Sequence, residues 1–171
     1  MIFVFPTELE AQLFIERSPI SRVEISGVGM AACGAKVAQI ASENPHDALI
    51  LAGIAGSYDL NGVALCEVVE VCEESIEELP EKYAKRYVNE PLFGDLKGVI
   101  SNSVSGSGHS SCTAQIENME GASLFAICEA LGVRCSQIRA ISNRVGDPFA
   151  EWNIDGALDA LTEKLIEISN S

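Results

Sequence analysis

The sequence predicts an α/β domain, a three-layer α/β/α sandwich around a mixed, largely parallel central sheet, formed by residues 1–171 as one unit. Three observations predict it. Segments with strand character alternate with segments of helix character along the chain. One strand, Ala48 to Ala52, is apolar without alternation, as strands covered on both faces of a mixed or parallel sheet are. No linker, repeat or low-complexity stretch divides the 171 residues, which suffice for one sizeable core.

The elements follow in order. Residues 1–5 read as a short buried strand that Pro6-Thr7 ends. Thr7 can cap a helix from Glu8, with Glu10 three residues on as in a capping box. Residues 21–27 alternate and predict a half-buried strand. Gly27-Val28-Gly29 turns the chain into a small-residue helix, Ala31 to Ser42, which Pro45-His46-Asp47 breaks. After the strand Ala48 to Ala52, Gly53-Ile54-Ala55-Gly56-Ser57 is expected as a flexible loop. Strands are expected at Val63 to Cys72 and Gly98 to Val104, with an irregular stretch over residues 73–97 between them. A helix is expected from Thr113 to Gly132, a strand from Val133 to Ser142 that ends at Asn143, and an amphipathic final helix from Ile154 to Ser169.

Composition narrows the function classes. Hydrophobic residues make up 47% and charged residues 21%, an ordinary globular balance. The net charge of -14 repels phosphate backbones and anionic lipid, so nucleic-acid and membrane partners are not expected. The apolar start lacks the basic lead and the length of a signal peptide, and no apolar run reaches the ~18 residues of a membrane span. A cytoplasmic protein is expected. Cysteines stand at 33, 66, 72, 112, 128 and 135 without a C-x-x-C pair. They read as buried free thiols, with a disulfide between two of them left open. Neither a metal nor a cofactor is expected. His46 and His109 read as solvent-facing loop residues, and Glu73, Glu74, Glu77 and Glu78 as a solvated face.

Three polar constellations sit on this apolar scaffold. Gly53 to Gly56 follows a buried strand, where α/β sheets let a ligand approach the backbone; the alternative is a plain tight turn. Glu117-Asn118-Met119-Glu120-Gly121-Ala122 precedes an apolar run. A carboxylate there can accept from vicinal ribose hydroxyls and the Met119 thioether can lie on a sugar face, or the glutamate is simply solvated on the first turn of a helix. Arg139 to Asp147 ends a strand in a polar cluster near Trp152. Asn143 offers a donor and an acceptor to a purine edge, or it closes the strand in an Asx turn.

Taken in order, these segments resemble the nucleoside phosphorylase and nucleosidase family. The match runs from Phe3-Val-Phe-Pro-Thr-Glu-Leu-Glu10 through Ser26-Gly-Val-Gly-Met-Ala-Ala32 and Ala52-Gly-Ile-Ala-Gly56 to Asn118-Met-Glu-Gly-Ala122 and Arg139-Ala-Ile-Ser-Asn143. Within the family the chain looks most like the futalosine hydrolases, on Gly98-Val-Ile-Ser-Asn102-Ser-Val-Ser-Gly106 and on Ile141-Ser-Asn143-Arg-Val-Gly146 followed by Trp152. The resemblance implies cleavage of the N-glycosidic bond of futalosine with release of hypoxanthine, a step of menaquinone biosynthesis. It implies Glu10 as the base that activates water and Glu120 as the holder of the ribose hydroxyls, with Met119 against the sugar. Asn143 would meet the purine, with Ile54, Asn102 and Asn118 as further substrate-binding residues. It also implies a homodimer. Methylthioadenosine nucleosidases carry an aspartate where this chain has Asn143. A carboxylate can accept from the amino group of adenine, whereas the oxygen of hypoxanthine needs a donor, which the amide supplies.

The sequence departs from the family in two places. The stretch between Cys72 and Gly98 is compressed, and Asp147-Pro148-Phe149 follows Gly146 where futalosine hydrolases tend to have an arginine and a polar residue. Other readings stay open: a methylthioadenosine/S-adenosylhomocysteine nucleosidase-like enzyme, a phosphorylase using Arg22, Arg139 or Arg144 for phosphate, and a non-catalytic nucleoside-binding homologue. Gly27-Val-Gly29-Met-Ala-Ala32 also fits the dinucleotide pattern G-x-G-x-x-A, although no acidic residue ends the next strand.

Overall fold

A computed structural model describes residues 1–108, 110–111 and 113–171. His109 and Cys112 lie outside the described residues. The fold is a mixed α/β fold. Strands β1 (Ile2–Phe5), β2 (Val23–Ile25), β3 (Leu49–Ser57), β4 (Val68–Ser75), β5 (Tyr87–Val88), β6 (Lys97–Ser103), β7 (Ile116–Asn118) and β8 (Cys135–Arg144) form one sheet. Among the described residues four α-helices accompany it: α1 (Glu8–Arg17), α2 (Met30–Glu43), α3 (Gly121–Leu131) and α4 (Ile154–Ser169).

Pairing is parallel for β1 with β2 and β3, β3 with β8, and β6 with β4 and β7. It is antiparallel for β3 with β7 and for β4 with β5 and β8. The sheet is thus mixed and largely parallel, as expected. Beyond the expected three-layer sandwich, the pairing β3-β7-β6-β4-β8-β3 closes on itself. The cause lies in the length of β3. One edge of this nine-residue strand holds β1 along Leu49 to Leu51 and β7 at Gly56 and Ser57, while the other edge holds β8 along its whole length. A strand that long has room for two successive neighbours on one side, and the second begins the turn that closes the ring.

Alternation divides the core. Ile2, Val4, Leu49 and Leu51 face Cys33, Val37 and Ile40 of α2 and Leu124, Phe125 and Cys128 of α3. The alternate residues Phe3, Phe5, Ile50 and Ala52 face Phe14 of α1 and Leu158, Leu161 and Leu165 of α4. The five described cysteines, 33, 66, 72, 128 and 135, are free thiols; Cys33, Cys128 and Cys135 are buried. No described helix is long and apolar enough to cross a membrane.

Several expectations change: the strand expected from Val63 to Cys72 is β4, Val68–Ser75, and the stretch 73–97 holds the short strand β5 paired with it. Gly53 to Ser57 continues β3, because β8 supplies hydrogen-bonding partners that outweigh the weak strand preference of glycine. Ile116–Asn118 is a strand, and α3 begins only at Gly121, because Asn118 Oδ1 takes the backbone N–H of Glu120 and Gly121 and forms an Asx-type turn between strand and helix. The acidic run is not solvated throughout: Glu78 is exposed, but Glu74 is fully buried, and Glu77 donates its backbone N–H to Asn102 Oδ1.

Candidate active site

The C-terminal end of β3 and the elements around it enclose a cavity of about 340 Å³, in the range of small-molecule sites. Glu10, Ile54, Asn118, Met119, Glu120 and Asn143 all line it, although they come from α1, β3, β7, the turn before α3, and β8. Asn102 is not among the lining residues. It is buried behind the cavity, where it fixes the backbone of Glu77 and donates to the Tyr58 hydroxyl at 3.4 Å.

Glu10 is placed by a capping motif. Its backbone N–H donates to Thr7 Oγ1 at 3.2 Å, and the Thr7 hydroxyl donates back to Glu10 Oε2 at 2.7 Å. Its other carboxylate oxygen accepts the Ile54 N–H at 3.0 Å, which ties α1 to β3. The residue is 8% exposed. Burial raises its pKa above the usual glutamate range; the Thr7 and Ile54 hydrogen bonds and the Arg139 charge pull the other way, and the nearby Glu120 carboxylate adds to the rise. Gly53 is required by this closeness. A Cβ there would stand 2.8 Å from both Glu10 Oε1 and Arg139 Nη1.

Glu120 accepts the Gly29 N–H at 3.0 Å on one oxygen and the Arg139 Nη2 at 3.1 Å on the other. Arg139 is 1% exposed and also donates to Asn118 Oδ1 and to the Ile54 carbonyl. From sequence it is one of three arginines, with Arg22 and Arg144, open to a phosphate role. Here it pairs with Glu120, and the signal for that was an arginine set between the apolar residues Ile138 and Ala140 of a buried strand, where a charge needs a partner. Arg22 pairs with Asn44 and Glu24, and Arg144 is exposed; neither lines the cavity.

The amide of Asn118 is fully engaged: Nδ2 donates to Glu74 and Ser101, and Oδ1 accepts from Glu120, Gly121 and Arg139. It therefore holds other groups in place and has no N–H of its own left for a ligand. Behind it, Glu74 is fully buried; desolvation pushes its pKa up to about 7, against the hydrogen bonds of Gln137, Asn118 and Ser103 and the charge of Arg139.

Asn143 owes its direction to an irregularity. The register of β3 and β8 shifts between Ala55 and Gly56, so that Gly56 pairs with Asn143 and the consecutive residues Ser142 and Asn143 both reach the cavity. Asn143 Oδ1 accepts from the Ser142 hydroxyl at 2.8 Å, and Nδ2 donates to the Arg144 carbonyl at 2.9 Å, which leaves the second N–H of the amide for a ligand. Gly56, without a side chain, keeps the space beside it open.

Several other lining residues carry no assigned role in the sequence analysis. Glu117 accepts the Gly108 N–H at 2.7 Å and the Tyr58 hydroxyl at 3.1 Å, and so ties Gly108, from the segment that precedes β7, to the cavity wall. Phe149 and Trp152, with ring centroids 5.1 Å apart, form an aromatic side. The glycine turn before α2 also belongs to this cavity, since Val28 lines it and the Gly29 N–H is given to Glu120. A dinucleotide phosphate at that helix start would confront a carboxylate, which argues against the dinucleotide reading.

No family model matches the chain. A futalosine hydrolase from Thermus thermophilus is 29% identical over 206 aligned residues, covering 94% of this chain and 91% of that protein. Among solved structures, a 5′-methylthioadenosine/S-adenosylhomocysteine nucleosidase from Helicobacter pylori superposes with a TM-score of 0.85 at 13% identity, covering 98% of this chain and 96% of that one. A futalosine hydrolase mutant from Helicobacter pylori gives 0.82 at 13% identity, covering 98% and 97%. Fold and sequence together align this chain with the nucleosidases, and among them with futalosine hydrolase.

Proposed function

We propose that this protein is an N-glycosyl hydrolase that cleaves futalosine into hypoxanthine and the free sugar moiety, in the cytoplasm and as a homodimer. The observation that carries the reading is the meeting of Glu10, Met119, Glu120 and Asn143 in one cavity from three separate parts of the chain. Cleavage passes through an oxocarbenium-like sugar while negative charge gathers on the purine, so the site must serve both ends. Glu10, with its raised pKa, takes the proton from the attacking water. Glu120 accepts from the ribose hydroxyls, with its charge balanced by Arg139 behind it. Asn143 donates to the N7 and O6 side of the leaving base; an amide is no ordinary acid, so the proton that completes the base comes from water.

Hydrolysis is favoured over phosphorolysis because, among the described residues, the one cation lining the cavity is Arg139, which is already committed to Glu120, Asn118 and Ile54. A panel of futalosine, inosine, methylthioadenosine and adenosine, each with and without phosphate and read by free base, tests the reading. Fastest release of hypoxanthine from futalosine, unchanged by phosphate, is expected. Phosphate-dependent release would make it a phosphorylase, and no release from any substrate would leave a binding protein.

Substrate choice rests on Asn143. In Asn143→Asp, the group facing the base accepts where the amide donated, and it also opposes the Arg144 carbonyl. The ratio of 6-oxopurine to 6-aminopurine cleavage should fall at least about tenfold. An unchanged ratio in competition assays would remove Asn143 from base recognition.

A further inference from the structure

Three hydrogen-bond donors converge on one buried carboxylate that touches none of the cavity. The Ser103 hydroxyl donates to Glu74 Oε1 at 3.1 Å, while Asn118 Nδ2 and Gln137 Nε2 donate to Oε2 at 3.0 Å each. Among the described residues no lysine or arginine pairs with Glu74 directly. The chain comes close enough at Gly121 that a Cβ there would collide with both Gln137 Oε1 and Glu74 Oε2, so the glycine that opens α3 is fitted to this carboxylate and its Gln137 partner. An amide at position 74 would present a donor to one of the three; only a carboxylate accepts from all.

The consequence lies one residue away. Because Glu74 takes the NH2 side of Asn118, the amide oxygen of Asn118 must point the other way. There it receives the Glu120 N–H at 2.8 Å, the Gly121 N–H at 2.7 Å and Arg139 Nη2 at 2.9 Å. These are the backbone that carries Glu120 and the guanidinium that holds its carboxylate. Ser103 repeats the arrangement on the other side, accepting the Ala122 N–H at 2.8 Å while it donates to Glu74.

We propose that Glu74 is a positioning residue for ribose recognition, which through Asn118 fixes the turn and the arginine that present Glu120 to the sugar. This rests on the nucleosidase reading, in which Glu120 meets the ribose hydroxyls. A group that acts in this way affects substrates in proportion to their use of Glu120. A group that only supports the fold affects all substrates alike.

The test compares futalosine with its 2′-deoxy counterpart, which offers Glu120 one hydroxyl fewer, in wild type, Glu120→Gln and Glu74→Gln, with melting temperature measured alongside. Glu74→Gln is expected to lower kcat/KM on the ribonucleoside roughly tenfold, the scale of a misplaced hydrogen bond to a charged group, and on the deoxynucleoside about threefold or less. Equal losses on both substrates would overturn the proposal. If Glu74→Gln does not fold, Glu74→Asp, which keeps the charge but withdraws it by one methylene, is read in the same way. A wild type that cleaves neither nucleoside, or a Glu120→Gln that penalises both substrates equally, would overturn the reading of Glu120 itself. Ribose-selective loss in Glu120→Gln without it in either Glu74 variant would overturn the positioning role alone.

Discussion

Glu10→Gln is expected to lower kcat by about 10²–10⁴-fold, the usual contribution of a positioned general base. The substitution is close to isosteric and the local network can absorb it. The new amide oxygen still accepts the Ile54 N–H, and the new NH2 donates to the Thr7 oxygen that the carboxylate formerly faced. The loss is therefore chemical, with KM little changed. Wild-type activity should fall on the acid side with a midpoint above the ordinary glutamate range, because burial raises the pKa of Glu10 and only the ionised form can take a proton from water. Stability runs the other way. The folded pKa exceeds the unfolded one, so between the two values the folded state still binds a proton that the unfolded state has released, and stability falls as pH rises through this window. Glu10→Gln should therefore melt no lower than wild type at neutral pH. Initial rates of base release across pH, with a melting curve at each pH, check both halves. A variant that keeps its rate within about threefold would remove Glu10 from the role of base.

How much of the fold was legible depends on where the information was local. Thr7 and Glu10 read as a capping box, and the helix starts there; Ile154 to Ser169 read as amphipathic, and that helix has these bounds. The apolar run before Gly53 read as a covered strand, and it is the central one. What the sequence could not convey was pairing at a distance. Gly53 to Ser57 has the composition of a loop and becomes strand only because residues 139–144, more than eighty positions away, lie beside it. Closure of the sheet likewise depends on which edge of β3 receives β7, and no local pattern encodes that. Glu74 is the sharpest case. Among four glutamates within six positions it reads as a surface charge, and only Ser103, Asn118 and Gln137, supplied by three other strands, make its burial tolerable.

The candidate site was more legible than the fold around it, because its residues were recognised by type and order and needed no geometry. Glu10, Met119, Glu120 and Asn143 reach the same cavity as expected. Other residues depend on their partners for their use. Asn102 and Asn118 were read as contacts for a ligand, yet their amides are taken up by Glu77 and Tyr58 in one case and by five partners in the other. An amide has few hydrogen-bonding positions, and a sequence does not say how many are already filled.

Arg139→Met should be the most destabilising single change at this site. Arg139 and Glu120 are both within a few per cent of full burial, and their ion pair spans 3.1 Å. Among the described residues, removing the guanidinium leaves Glu120 with the Gly29 N–H as its one remaining hydrogen bond and no cation beside it, and it also strips donors from Asn118 Oδ1 and the Ile54 carbonyl. A buried carboxylate that loses its partner typically costs about 3–5 kcal/mol, which in a chain of this size lowers the melting temperature by roughly 6–20 °C. Nucleosidase activity should vanish as well, since Glu120 and the backbone of Ile54 that steadies Glu10 both lose their anchor. The double variant Arg139→Met with Glu120→Leu separates charge from shape. If the cost is the stranded carboxylate, the double variant melts above the single one while remaining inactive, because two apolar side chains satisfy each other where one charge could not. A melting temperature for Arg139→Met within about 2 °C of wild type would mean that Glu120 does not depend on this arginine.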